Sequence, residues 1–342
     1  MFIGVDTGYG YTKFSTAAGR KGSFPSVVTG APRGNGDLAT VLGAKTLKHR
    51  LSVQMEGADK PTEYLVGQSA LATGADRTWD TSGAARDGYD LLVLAALALA
   101  NAHDEVDLGL GLPLNVYLDR TERKALRARL RGLKARVKID SKEARDVAVS
   151  SVRVFPQAIG AYFDAISSRD GEHLVGQAVA VLDVGFKTSD FIMLTPTPDG
   201  VSVPDESRSG SVNAGIGNVF DAVRTFVAEQ TGTTTLPPES LIETAISNGG
   251  TIMVRGKEFD VSQPYQKALQ AVASKIESDL RRVWGETVDY LAAVLVVGGG
   301  GQAVKPFLHL PGARLADDPV YANAKGFAAL LVQQDYAAAK PL

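Results

Sequence analysis

Short apolar runs broken by glycine turns alternate along this chain with longer blocks of helical periodicity, a pattern that predicts an α/β protein. Residues 2–5 (FIGV) are a β-prone run that enters Asp6 and a glycine-containing turn, and KFSTA (13–17) continues as strand. Much later, VAVL (179–182) enters Asp183 and a second such turn, followed by FIMLTP (191–196). Both stretches predict strand, tight turn, strand. In dinucleotide-binding and P-loop sites the glycine turn opens a helix instead. The two copies, DTGYGYTKF and DVGFKTSDF, share a D-x-G-aromatic opening and a phenylalanine at the same offset, Phe14 and Phe191. They read as a long-range internal duplication, one copy near the start of each of two domains.

Between the copies, a glycine-punctuated segment at about 20–85 predicts an inserted subdomain of short strands and loops. The apolar run LLVLAALALA (91–100) predicts a buried helix over 87–102, being about half the ~20 residues that cross a bilayer. A strand follows at 106–114. The basic stretch DRTERKALRARLRGLKARVK (119–138) predicts a helix with Leu126, Leu130 and Leu133 on one face. Strand SVRVF (151–155) then leads through Pro156, a residue suited to a helix start, into QAIGAYFDAI. The second half predicts hairpin strands to about 203, a glycine turn NAGIGN (213–218) and helices near 219–230, 237–248 and 264–284. A strand with a glycine run, AAVLVVGGGG (292–301), enters the helix QAVKPFL, and a last helix at 323–334 is expected to return to the first domain. The expected domains are 1–165, carrying the insertion and the closing segment 320–342, and 166–319.

Composition narrows the function classes. With 342 residues, 44% hydrophobic and 22% charged, the chain can bury enough surface for two ordinary domains. A formal net charge of −2 argues against a nucleic-acid-coated or membrane-bound protein, and direct nucleic-acid binding is not expected. The absence of cysteine removes disulfides, thiolate nucleophiles and Cys-type metal sites, in keeping with the cytoplasm. Met1–Val5 runs straight into the first motif, so no secretion signal is expected there. His49, His103, His173 and His309 lack metal-ligand spacing, and no G-x-S-x-G is present. From Asp119 to Asp146 eleven Lys/Arg face five Asp/Glu: a solvated helix face, or a contact for a neighbouring subunit, DNA or an adaptor.

The two turns carry the candidate chemistry. Gly8, Gly10 and Gly185 let backbone N–H groups approach phosphate oxygens without an intervening Cβ. Asp6 and Asp183 at the strand ends are candidate Mg²⁺ groups acting through its waters. Thr7, Thr12, Thr188 and Lys13 can add phosphate contacts. Tyr9, Tyr11 and Phe186 belong to the same turns, although packing against the hairpins suits them better than ligand contact. The run Gly298, Gly299, Gly300 offers flat backbone for an adenine or α-phosphate, and Gly215 and Gly217 could flank a ribose or simply open a helix. A single D-x-G is usually only a turn; two matched copies point to a phosphate clamp.

The order GVDTGYGYTK, GLPL, FPQAIGAYF, LDVGFKTSDF, AGIGN, LVVGGGG resembles the actin, heat-shock chaperone and sugar-kinase ATPase superfamily, and within it the ParM-type actin-like proteins of plasmid segregation. The resemblance implies a duplicated, ribonuclease H-like two-domain α/β fold with an interdomain nucleotide cleft, ATP (with GTP as the alternative) and Mg²⁺ as cofactors. It implies Asp6 and Asp183 at the magnesium-associated positions and the turns Gly8–Lys13 and Gly185–Thr188 on the β- and γ-phosphates. It places Gln157 where the family keeps a residue that orients the attacking water. Lys187 departs from the small residue common at its position. The function implied is an ATPase that assembles into filaments of its own subunits and segregates plasmid DNA through a DNA-bound adaptor. A small-molecule kinase of the same superfamily is the alternative, although no acid stands out as its catalytic base. A chaperone ATPase and a membrane-bound cell-shape actin are less well matched.

Overall fold

The computed structural model describes residues 1–31, 49–75, 77, 88–197 and 202–339, with the side chains of 169, 170 and 336–339 left aside. Parts of four sequence expectations lie outside the described residues: 32–48, 76 and 78–85 of the inserted segment, 87 of the apolar helix, 198–201 of the hairpin strands and 340–342 of the closing segment. The chain divides into two compact units, Met1–Asp164 with Tyr321–Leu342, and Ala165–Val320.

The described residues of the first unit form nine strands: β1 (Phe2–Thr7), β2 (Tyr11–Thr16), β3 (Lys21–Pro25), β4 (Val28–Gly30), β5 (Arg50–Met55), β6 (Thr62–Val66), β7 (Asp104–Leu112), β8 (Lys134–Ile139) and β9 (Arg145–Pro156). Their order is β3-β2-β1-β7-β9-β8-β5-β6-β4. The centre, β1-β7-β9, is parallel, and the flanks are antiparallel. The described strands of the 20–85 segment lie at both ends of this one sheet, β3 on one side and β5-β6-β4 on the other.

Successive residues of a strand face opposite ways, so β1 serves two layers. Ile3 and Val5 join the buried cluster that includes the helix Tyr89–Leu99, whose run from Leu92 to Ala98 is buried throughout. Gly4 meets the helix Ala322–Ala339, which lies so close that a Cβ at Gly4 would stand 2.0 Å from the Ala324 carbonyl oxygen. Each fully buried Leu, Ile or Val in such a layer is worth about 1.5–3 kcal/mol.

The basic stretch is shorter as a helix than its composition suggests. Helix Arg120–Leu130 starts where the Asp119 carboxylate accepts from the Thr121 N–H at 2.7 Å, and it buries Leu126 and Leu130. Gly132, at φ +79°, then breaks the chain direction, and β8 takes over with Lys134, Arg136 and Lys138 exposed and Ala135, Val137 and Ile139 buried. The period changes from helical to two at that glycine, and Leu133 lies between the two elements.

The second unit carries β10 (Val179–Val184), β11 (Ser189–Pro196), β12 (Ser202–Val212), β13 (Thr251–Val254), β14 (Lys257–Asp260), β15 (Ala293–Val297) and β16 (Ala313–Leu315). Five of them form a sheet in the order β12-β11-β10-β15-β16, and β13 and β14 pair as a separate hairpin. Helix Ser262–Trp284 lays an apolar stripe, Leu269, Val272, Ala273, Ile276, Leu280 and Trp284, into this unit's core. Trp284 ends the stripe by donating its indole N–H to the Arg208 carbonyl at 2.9 Å and standing edge-on to Phe191.

The duplication is visible in register. Each unit opens with an antiparallel meander whose first strand also pairs in parallel with a later one, β1 with β7 and β10 with β15. Phe14 on β2 is opposite Gly22 on β3, and Phe191 on β11 is opposite Gly210 on β12. In both places the phenyl ring covers the glycine, so that a Cβ there would meet ring carbons at 2.8 and 3.0 Å respectively. The same aromatic-over-glycine device is thus built twice.

Candidate functional site

In the first unit the site gathers around Asp6 at the end of β1. Asp6 is 2% exposed, and both of its carboxylate oxygens are engaged. Lys13, directly opposite on β2, brings its Nζ to Oδ2 at 3.1 Å. Gln157 donates from Nε2 to Oδ1 at 2.6 Å. A buried carboxylate is costly unless it is paired and hydrogen-bonded, and Lys13 and Gln157 are its partners. The Gln157 backbone N–H is tied to the Leu112 carbonyl at 2.8 Å, which fixes where its side chain starts.

The turn between β1 and β2 is held from beneath. Ser26 donates its hydroxyl to the Gly8 carbonyl at 2.7 Å and its backbone N–H to the Gly10 carbonyl at 2.9 Å. Thr12 is fully buried and its hydroxyl meets that of Ser26 at 2.8 Å, so this side chain builds the turn rather than reaching outward from it. Gly8 accepts no side chain without conflict, because a Cβ would stand 2.9 Å from the Tyr11 carbonyl oxygen. Tyr11 carries the Arg77 guanidinium over its ring at 5.4 Å, a packing role of the kind its position in the hairpin suggests.

In the second unit three glycine segments, far apart in sequence, converge on the end of β10. The turn after Asp183 closes through Gly185 N–H to the Thr188 carbonyl at 2.9 Å. The NAGIGN segment docks on that turn, Ile216 N–H donating to Gly185 O at 3.1 Å and Gly217 N–H to Phe186 O at 2.8 Å. Gly215 allows this approach, since a Cβ would lie 2.5 Å from the Phe186 carbonyl oxygen. The run after β15 completes the group, with Gly300 N–H donating to Val184 O at 2.9 Å. Gly298 sits at φ +88°, where a Cβ would fall 2.2 Å from Asp183 Oδ1. Glycine at 298 therefore leaves the Asp183 carboxylate its room.

Two residues of the second turn and one of the run after β15 differ in how they present themselves. Phe186 packs its ring on Gly217 and tilts towards Phe220 at 6.2 Å, and it contributes to the turn through its carbonyl. Lys187 is exposed. Gly299 has open space where its Cβ would be and is likewise exposed.

Several residues of this architecture gave no sequence signal. Asp190 stands opposite Asp183 at the place where Lys13 stands opposite Asp6, so the duplicated hairpins differ in charge at equivalent positions. Aligning the two motifs at their aspartates puts Lys13 and Asp190 at the same offset, a comparison that would have found the pair. Ser26 and Asn323 are single polar residues in unremarkable contexts, and only their partners give them meaning.

The donor set suits a polyphosphate with Mg²⁺. That ion keeps several waters and needs only one or two carboxylates, so it fits single aspartates at strand ends. No group of three or more His, Asp or Glu that could hold a metal is found among the described residues. The turns supply backbone N–H groups and glycines of the kind that approach phosphate closely.

Residues 4–160 match the family model for the N-terminal domain of actin-like proteins, and residues 181–309 match that for the C-terminal domain of the archaeal actin homologue MreB-like family. An archaeal actin homologue of Thermoplasma acidophilum is 26% identical, over 96% of this chain and 97% of its own length. Among solved structures, a 15-stranded ParM filament from Clostridium botulinum superposes with a TM-score of 0.82 at 20% identity, covering 97% of this chain and 98% of that one. An archaeal actin homologue in complex with ADP gives 0.74 at 22% identity, covering 97% and 100%. The fold is the two-domain α/β fold of these proteins. No helix among the described residues is long and apolar enough to cross a membrane.

Proposed function

Because this chain belongs to the actin-like proteins, we propose that its glycine turns bind the phosphates of Mg-ATP and that ATP binding drives assembly into filaments. The observation that carries the reading is the buried Asp6–Lys13–Gln157 group at the foot of the first turn, matched in the second unit by Asp183 beneath three converging glycine segments. ATP, rather than GTP, is favoured by the ADP complex of a relative.

The residues divide the work by chemistry. Backbone N–H groups of the Gly8–Lys13 and Gly185–Thr188 turns hold phosphate oxygens. Asp6 and Asp183 are the carboxylates that would hold waters of Mg²⁺, and the ion when bound would offset charge on the phosphates. Lys13 pairs with Asp6 at 3.1 Å and holds its carboxylate in place. The Gln157 amide cannot accept a proton; with Nε2 given to Asp6, its Oε1 remains as an acceptor that orients a water for attack on the γ-phosphate. The Gly298, Gly299 and Gly300 run and the Gly215–Gly217 turn flank the nucleoside end. Loss of the γ-phosphate weakens the grip and permits disassembly. The cargo we infer is plasmid DNA, reached through a DNA-bound adaptor, from likeness to ParM.

High-speed pelleting with Mg-ATP, Mg-ADP or no nucleotide tests the reading, with phosphate release followed in the same tubes and Asp183→Ala as control. ATP-dependent pelleting that the variant loses supports the filament. A protein that binds ATP yet stays in the supernatant at all workable concentrations would refute it and point to a phosphate acceptor.

A further inference from the structure

Asn323, near the start of the helix Ala322–Ala339, is 4% exposed and turned into the first unit. Its Oδ1 accepts from the Ala158 N–H at 2.9 Å and from the Ala161 N–H at 3.2 Å. These are N–H groups at the opening of the helix Ile159–Ile166, where a helix has no backbone acceptors of its own to offer. Asn323 therefore caps that helix from 162 residues away in sequence, counted from Ala161.

The cap acts on the residue after Gln157. Ala158 is at φ +72°, a left-handed conformation that a non-glycine residue keeps only when its surroundings hold it. The bond to Asn323 is one such hold, and it defines the direction in which the chain leaves Gln157. Around the same point the two helices touch backbone to backbone: a Cβ at Gly326 would stand 1.7 Å from the Gly160 carbonyl oxygen, and one at Gly160 would stand 2.5 Å from the Asn323 carbonyl oxygen. Phe327 fills the remaining space, lying against Gly111 and Gly160 and stacking on Phe155 at 5.6 Å. A Cβ at Gly111 would in turn lie 3.2 Å from Gln157 Cγ, so the glutamine stem rests in a notch formed by that glycine.

We propose that Asn323 is a positioning residue for Gln157, setting through the Ala158–Ala161 turn the direction in which the glutamine amide meets Asp6. The proposal rests on the reading of Gln157 as the residue that orients the attacking water. It assigns the C-terminal helix a part in hydrolysis, which its sequence position gives no reason to expect.

The experiment is a double-mutant cycle in the full chain, measuring Mg-ATP hydrolysis and nucleotide affinity separately for wild type, Asn323→Ala, Gln157→Ala and the double variant. Asn323→Ala is expected to lower the hydrolysis rate about 10- to 100-fold, the scale of losing alignment by a fraction of an ångström to an ångström, while nucleotide affinity changes by less than about twofold. In the Gln157→Ala background the same change is expected to do nothing further. Asn323→Asp, which keeps an acceptor for both N–H groups, restores most of the rate. Lys325→Ala, which removes a 2.9 Å ion pair to Asp164 between the same two helices, leaves the rate unchanged. Equal losses from Asn323→Ala with and without Gln157 would overturn the proposal, as would equal losses from Lys325→Ala. Hydrogen exchange supplies a second readout without nucleotide: Asn323→Ala should speed exchange at Ala158 and Ala161, and unchanged protection there overturns the proposal even if Asn323→Ala is catalytically impaired. If wild type itself hydrolyses no nucleotide, the ATPase reading fails, and the exchange data alone judge whether Asn323 holds the Gln157 turn. Should Asn323→Ala fold poorly, Asn323→Ser enters the same cycle.

Discussion

Lys13→Met isolates the electrostatics of the first turn. The substitution keeps an unbranched stem of similar length and removes the ammonium, leaving Asp6 with its Gln157 bond but without the cation at 3.1 Å. Asp6 is 2% and Lys13 7% exposed, so solvent cannot take over. Removing one partner of a buried pair costs about 3–5 kcal/mol. That is a large share of the ~5–15 kcal/mol by which a domain is stable. Combining Lys13→Met with Asp6→Asn removes the stranded charge while leaving Gln157 an oxygen to bind, so the double variant should regain most of the loss. Urea unfolding of wild type, both single variants and the double, without nucleotide, measures all four values. A Lys13→Met cost below about 1 kcal/mol, the scale of a surface pair, would refute the reasoning. So would a double variant no more stable than Lys13→Met.

Three further outcomes are expected. Gly298→Ala forces a left-handed alanine, costing about 1–2 kcal/mol, and drives its Cβ into Asp183; calorimetry should show Mg-ATP binding weakened at least about tenfold. Gly4→Ala puts a methyl 2.0 Å from the Ala324 carbonyl oxygen, so the helix Ala322–Ala339 must shift and thermal melting should register a loss of about 1–3 kcal/mol or more. Burial pushes the Asp90 carboxyl above its ordinary value, against the pull of Arg129. A raised carboxyl makes the folded state hold its proton longer, so this contribution to stability is present at low pH and is lost as pH rises through the folded value, from about 4 upward. The stability of wild type relative to Asp90→Asn should therefore fall between acid and neutral pH in urea titrations; a rise would contradict the assignment.

Much of the fold was legible because its signals are local. Apolar runs ending in Asp-x-Gly set both hairpins, since strand propensity and turn chemistry act within a few residues. The wholly apolar block at 91–100 announced a buried helix. Pro156, expected at a helix start, instead closes β9 in register with Leu112, and the helix begins at Ile159, after Ala158 at φ +72°. Where local signals compete, as at 119–138, charge composition masked a change of period, and Gly132 was the residue to weigh.

The sequence by itself determined where the chain turns back, which aspartates end strands and which segments lack side chains that would obstruct a ligand. Tertiary structure decided what those residues do to one another. Asp6 meets Gln157 across 151 positions, and Asn323 reaches Ala158 across 165. The glycines at 4, 160 and 326 lie inside predicted strand and helices, and only their close backbone neighbours show why no side chain stands there. The physical reason is one of range: propensity and turn geometry are properties of neighbouring residues. A buried charge, a distant helix cap or a backbone contact exists only once two separated segments are pressed together, and its energy belongs to the pair.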